Sequence, residues 1–161
     1  MLRLLKSVLV LFIGLHALFY ALQNVANLSA AKAALVYVMS GADHQVYPAS
    51  LFFKSGSDAF AWAMLMVVLL GEFAIAFFGI KGGWDLYRQR SAPAELFAEA
   101  KRAGVIAAGL ALLLWFGLFM TFGGAFFQMW QTGAGSTSME GAFMYATASV
   151  VTMLYVCLTP D

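Results

Sequence analysis

The sequence predicts an all-α integral membrane protein, a four-helix bundle in one domain over residues 1–161, and three observations predict it. The first is composition. Hydrophobic residues make up 63% of the chain and charged residues only 11%, where soluble domains carry about 25% charged residues. Mean hydropathy is +0.84. A soluble chain of this length has no way to hide so much apolar surface, so the bilayer is the solvent. The second is the presence of four runs, about 7–26, 59–80, 104–127 and 141–158. Each approaches the roughly 20 residues that cross about 30 Å of hydrocarbon at 1.5 Å per residue. The third is the placement of basic residues. Arg3 and Lys6 precede the first run, and Lys81, Arg88, Arg90, Lys101 and Arg102 lie between the second and third. Only Lys32 and Lys54 lie in the other connections. Basic residues stay with the cytoplasmic side, so this asymmetry places both termini and the middle loop in the cytoplasm.

The first run follows Arg3 and Lys6 and precedes Ala31-Lys32-Ala33, which gives it some likeness to a secretion signal. Its apolar stretch is longer than the core of such a signal, so it reads as a retained helix. The outer segment 27–58 is the longest connection. Asn27 or Ser29 is placed to cap a helix through Ala30–Met39, stopped near Gly41. Pro48 is placed to open a second through Leu51–Phe53. Both are too short to span and are expected at the interface or against the outer end of the bundle. Ser57 and Asp58 cap the second run. On the inner side Ser91-Ala92-Pro93 reads as a helix start, with a charged face from Glu95, Glu99, Lys101 and Arg102, and that helix continues into the third run. Thr137-Ser138-Met139-Glu140 has the spacing of a capping box before the fourth. Trp62, Trp84, Tyr87 and Trp130 fall near run ends, where amphipathic rings favour the headgroup region.

Polar residues inside the runs are the candidate functional groups. His16, Tyr20, Gln23 or Asn24, and Asn27 recur at steps of three and four along one face of the first helix. Tyr145, Ser149 and Thr152 do nearly the same on the fourth. Gly104, Ala108 and Ala111, with Trp115 and Phe119 above them, mark a face of the third where small residues let backbones approach closely. That face, with Trp130, is the candidate for helix packing or for contact with a partner. The apolar stretch LLGEFAIAFFGI, residues 69–80, holds one carboxylate, Glu72. A charged carboxylate in mid-bilayer costs at least about 2.5 kcal/mol, so Glu72 is expected to be paired, protonated or hydrated. Counted from the outer helix ends, Glu72 and His16 come to similar depths, about 20 and 15 Å in. His16 is therefore the favoured partner, with Tyr20 or a hydroxyl as alternatives. Two readings stand: Glu72 locks helices together, or it is a proton or cation site.

Other chemistries lack their residues. One cysteine, Cys157, excludes an internal disulfide and a cysteine metal cluster. His16 alone does not make a bis-histidine haem site, and Asp43-His44 falls short of a metal site. Gly82-Gly83 and Gly123-Gly124 lack the context of a phosphate loop. A net charge of +1 argues against nucleic acid. No cofactor, metal or enzyme activity is expected.

Leu114-Trp115-Phe116 and Phe119-Met120, followed by GGAFFQMWQ at 123–131, closely resemble the signature of a bacterial family of predicted small integral membrane proteins of unknown function. Asn24 or Asn27, the Asp43–Pro48 segment, Glu72, Ala142-Phe143 and the closing Pro160-Asp161 resemble it as well. That family carries an acidic residue where Ala125 stands and a basic one where Met144 stands; both are apolar here. The resemblance implies four helices and a bacterial inner membrane, and no activity. Two functions are expected from these residues. One is a non-catalytic accessory subunit packed against a larger membrane complex, with lipids and other integral subunits as partners. The other is a small oligomeric transporter, channel or sensor using Glu72 and the polar stripe of the first helix.

Overall fold

The computed structural model describes all 161 residues, and it is all-helical. Helix α1 runs over Leu2–Ala26, α2 over Leu28–Ser40, α3 over Asp58–Arg88, α4 over Ala94–Leu112 and α5 over Gly133–Leu158. A wide helical segment, Leu113–Phe126, continues α4 without a break, and a single 3₁₀ turn, Met129–Gln131, follows it. Four helices are long and apolar enough to cross a membrane: Leu2–Ala26, Asp58–Arg88, Ala94–Phe126 and Gly133–Leu158.

Local chemistry sets most helix ends. Gly41, in the left-handed conformation at φ 68°, stops α2. The Ser57 hydroxyl accepts from the Phe60 amide and starts α3. Pro93 stands immediately before α4. Two expectations are corrected here. The cap of α5 is Thr132, whose hydroxyl accepts from the Gly135 amide at 3.1 Å. Thr137 instead lies inside the helix and donates back to the Gly133 carbonyl. No helix forms over Leu51–Phe53. There the Ser50 hydroxyl accepts from the Phe52 amide and the Lys54 ammonium takes the Pro48 carbonyl, local bonds that compete with a helix. From Leu113 the third span widens to five-residue hydrogen bonding, ending where the Phe127 amide bonds the Phe122 carbonyl at 2.8 Å. This form usually occurs as one-turn bulges; here it persists for 14 residues.

Glycine backbones bring the helices together. A Cβ added at Gly79 would lie 2.5 Å from the Gly14 Cα, so α1 crosses α3 backbone to backbone at that point. Gly82 meets the Gly104 amide in the same way where α3 crosses α4. Beyond both crossings, on the side away from the termini, a core assembles from all four spans: Ala17 of α1, Ile75 and Ala76 of α3, Ala111, Leu114 and Trp115 of the third span, and Ala142 and Ala146 of α5. Helix α2 runs beside α3, where the Lys32 ammonium pairs with the Asp58 carboxylate at 2.7 Å.

Candidate functional site

Because α3 extends past the C-terminal end of α1 to run beside α2, the two spans are offset from the alignment that equal ends would give. Gly14 faces Gly79, Leu11 faces Gly83, and Asn24 reaches Glu72. This overturns His16 as the partner of Glu72. The Asn24 amide donates to both carboxylate oxygens, each at 3.0 Å, and Glu72 is only 1% exposed. Asn24 is among the polar candidates of the α1 stripe, two steps of four residues beyond His16.

His16 belongs to a different group. Its ring packs edge-on against Tyr145 of α5, centroids 4.1 Å apart, and beside Tyr20 at 4.9 Å. The Tyr20 and Tyr145 hydroxyls are hydrogen-bonded to each other. Trp115 closes the group from the third span, 5.4 Å from Tyr145 and 5.2 Å from the half-buried Phe119. The His16 Nε2 is buried without a hydrogen-bond partner. Gln23 is exposed, and its carbonyl accepts from the Asn27 side-chain amide. Gly104, Ala108, Ala111 and Trp115 are all buried inside the bundle. They serve the chain's own packing, and as a face for an outside partner they are already occupied.

Two further clusters, at the ends of the bundle, are not apparent from sequence spacing. At the end that holds both termini and the α3–α4 turn, Lys6 is fully buried. Its ammonium donates to the carbonyls of Thr159 and Pro160 and to an oxygen of Asp161 at 2.6 Å, while Lys101 takes the other oxygen at 2.7 Å. Burial alone would raise the Asp161 carboxyl, but the bonds from Lys101 and Lys6 outweigh it and hold the group below its ordinary value. Arg3 donates to the carbonyls of Arg90 and Ala92 and lies over the Phe97 ring. Two basic residues that mark orientation in the sequence thus also tie the first helix to the last residues and to the α3–α4 turn. The only sequence signal for this cluster was Pro160-Asp161 in the family resemblance.

At the opposite end, the side-chain amide of Gln131 pairs both ways with the backbone of Tyr47, accepting from its amide at 2.7 Å and donating to its carbonyl at 3.1 Å. Trp130 meets the Tyr47 ring edge-on, and Phe126 stacks on Phe52 at 4.3 Å. The block at 123–131 that carries the family resemblance therefore anchors the 27–58 segment. Within that segment His44 is buried with neither ring nitrogen hydrogen-bonded. Burial lowers its pKa, Lys54 lowers it further, and Asp43 only partly opposes them.

Chemically, the polar groups inside the spans are hydrogen-bonded in two separate pairs, Asn24 with Glu72 and Tyr20 with Tyr145. No three His, Cys, Asp or Glu side chains converge as metal ligands. A family model described as "Predicted small integral membrane protein (DUF2165)" matches residues 2–159. No curated protein and no solved structure matches the chain.

Proposed function

The chain belongs to this family of predicted small integral membrane proteins, and from that premise we propose that it is a non-catalytic accessory subunit of a larger bacterial inner-membrane complex, of respiratory or photosynthetic type. The observation that carries this reading is the Glu72–Asn24 clasp. The one carboxylate in the middle of a span is enclosed by its own helices, with both oxygens taken by a neighbour. A polar pair so placed fixes the register of α1 on α3, an architectural role. Contact with other subunits falls to faces the bundle leaves open, chiefly Phe116 and Phe122 of the wide segment and Phe143, Met144 and Val151 of α5. Lipid is as apolar as these side chains, so such a contact depends on close packing rather than on hydrophobicity.

The second reading, a small oligomeric transporter, draws on one feature. The unpartnered His16 Nε2 adjoins the Tyr20–Tyr145 pair, on the same helix as Asn24. The test is the native mass of the particle extracted in mild detergent, with its chains identified. A stoichiometric assembly with other membrane proteins is expected. A lone monomer or homo-oligomer, with pH-dependent flux that disappears in Glu72→Gln, would replace the subunit with the transporter.

A further inference from the structure

A cleft of about 580 Å³ opens between the first turn of α1 and the α3–α4 turn. Leu2, Arg3, Leu4, Arg90, Ser91 and Asp161 contribute to its lining. We propose that this cleft binds an anionic phospholipid, with the headgroup phosphate between Arg3 and Arg90 and an acyl chain leaving past Leu4 toward the span.

Both guanidinium groups are held in place before any ligand arrives. Arg3 spends one nitrogen, Nη1, on the Arg90 and Ala92 carbonyls and lies 4.7 Å from the centre of the Phe97 ring. Arg90 spends one nitrogen on the Tyr87 carbonyl at 2.8 Å and lies 4.0 Å over the Tyr87 ring. Each keeps its remaining N–H donors, in the planar fork that suits a phosphate. Fixing them in advance removes the ordering cost that a free arginine would meet on binding. The first turn of α1 adds to the attraction, with no acidic residue and no side-chain cap on its amides. Asp161, the carboxylate on the same wall, has both oxygens engaged by Lys6 and Lys101.

The apolar half of the site selects a lipid over a free anion. Leu2 and Leu4 are each about half exposed on the same helical turn as Arg3. Trp84 and Tyr87, stacked on each other and exposed, stand on the same end of α3, where amphipathic rings sit at headgroup level. A cleft with cations at the rim and leucines along its wall matches the two halves of a phospholipid. Basic clefts of this kind between spans bind anionic headgroups.

The test uses the full chain purified in mild detergent, with lipid retention read by native mass spectrometry. Phosphatidylglycerol, phosphatidylcholine and inorganic phosphate are titrated separately. The expected result is saturable retention of one phosphatidylglycerol, preferred over phosphatidylcholine, and weakened about fivefold in Arg90→Gln. Arg88→Gln, on the same end but outside the cleft, should leave retention unchanged, and Arg90→Lys should restore part of it. Arg3→Gln also removes the tie to the α3–α4 turn, so the Arg90 variants carry the decision. Equal retention of the two lipids, equal losses in Arg88→Gln and Arg90→Gln, or displacement of the lipid by millimolar inorganic phosphate would each overturn the proposal.

Discussion

At the scale of single residues, the energetic question is what each buried polar group loses when its partner is removed. Glu72→Gln keeps the shape and a hydrogen-bonding oxygen for Asn24, so its thermal unfolding in detergent should lie close to that of the parent. Glu72→Leu strands the Asn24 amide among apolar neighbours and should cost about 1–3 kcal/mol. An unfolding curve unchanged by Glu72→Leu would mean that the clasp contributes nothing. The Lys6–Asp161–Lys101 cluster makes a prediction about acid. Asp161 ionises more readily in the folded chain than in the unfolded one. Its contribution to stability is therefore present above the ordinary aspartate pKa and is lost as pH falls through the lower folded value. Below about pH 4, from the ordinary aspartate pKa near 3.9 downward, the parent should lose stability more steeply than Asp161→Asn. Parallel pH profiles would remove Asp161 from the account.

At the scale of elements, the crossings depend on missing side chains. A Cβ at Gly79 falls 2.5 Å from the Gly14 Cα, a backbone atom, so the two helices can yield only by moving apart. Gly79→Ala should cost about 1–3 kcal/mol by overpacking. Gly109→Ala provides the comparison, since a Cβ there meets nothing within 4 Å; it should be neutral or slightly stabilising. Equal effects of the two substitutions on thermal unfolding would contradict the crossing. The outer segment has its own sensitivity. His44 binds a proton less readily when buried beside Lys54 than when released, despite Asp43. As pH falls below the ordinary histidine value near 6.5, the released form takes up more protons and the closed segment weakens. Hydrogen exchange across Gly41–Ser57, corrected for its intrinsic pH dependence, should be faster at about pH 5 than at about pH 7.5, and His44→Phe should remove the difference. A difference that survives His44→Phe would assign the effect to another group.

At the scale of the whole molecule, the lengths of the spans organise the two ends differently. Helix α3 has 31 residues, about 46 Å at 1.5 Å per residue against roughly 30 Å of hydrocarbon. Its outer turns therefore accompany α2, and the Tyr47–Gln131 and Phe52–Phe126 contacts fasten the remaining outer segment to the end of the third span. The opposite end gathers the α3–α4 turn and both terminal segments around Arg3, Lys6 and Asp161. The excess of basic residues at that end predicts that it faces the cytoplasm. In a Cys157→Ala background, Ser91→Cys should react with an impermeant thiol reagent from the cytoplasmic side only, and Ala134→Cys from the other side only. Reaction of Ala134→Cys from the cytoplasm would invert the orientation.

The sequence by itself determined the four spans, the stop of α2 at Gly41 and the starts of α3 and α4. A helix in lipid satisfies its backbone within its own segment, and its length is measured against the bilayer, so these features are local. Trp130 and the glutamines beside it were legible as a distinctive block, but not as the anchor of a segment some 80 residues earlier. Tertiary structure alone decided that Glu72 meets Asn24 rather than His16. That pairing follows from the offset between α1 and α3, which is set where two glycine backbones touch and by α2 occupying the outer length of α3. The fates of Lys6 and His44 were equally hidden. A lysine near the start of a span looks like an orientation signal, and only the returning C-terminal segment reveals it as a buried donor with three acceptors. Burial depends on what the rest of the chain brings alongside, and no local pattern of residues encodes that.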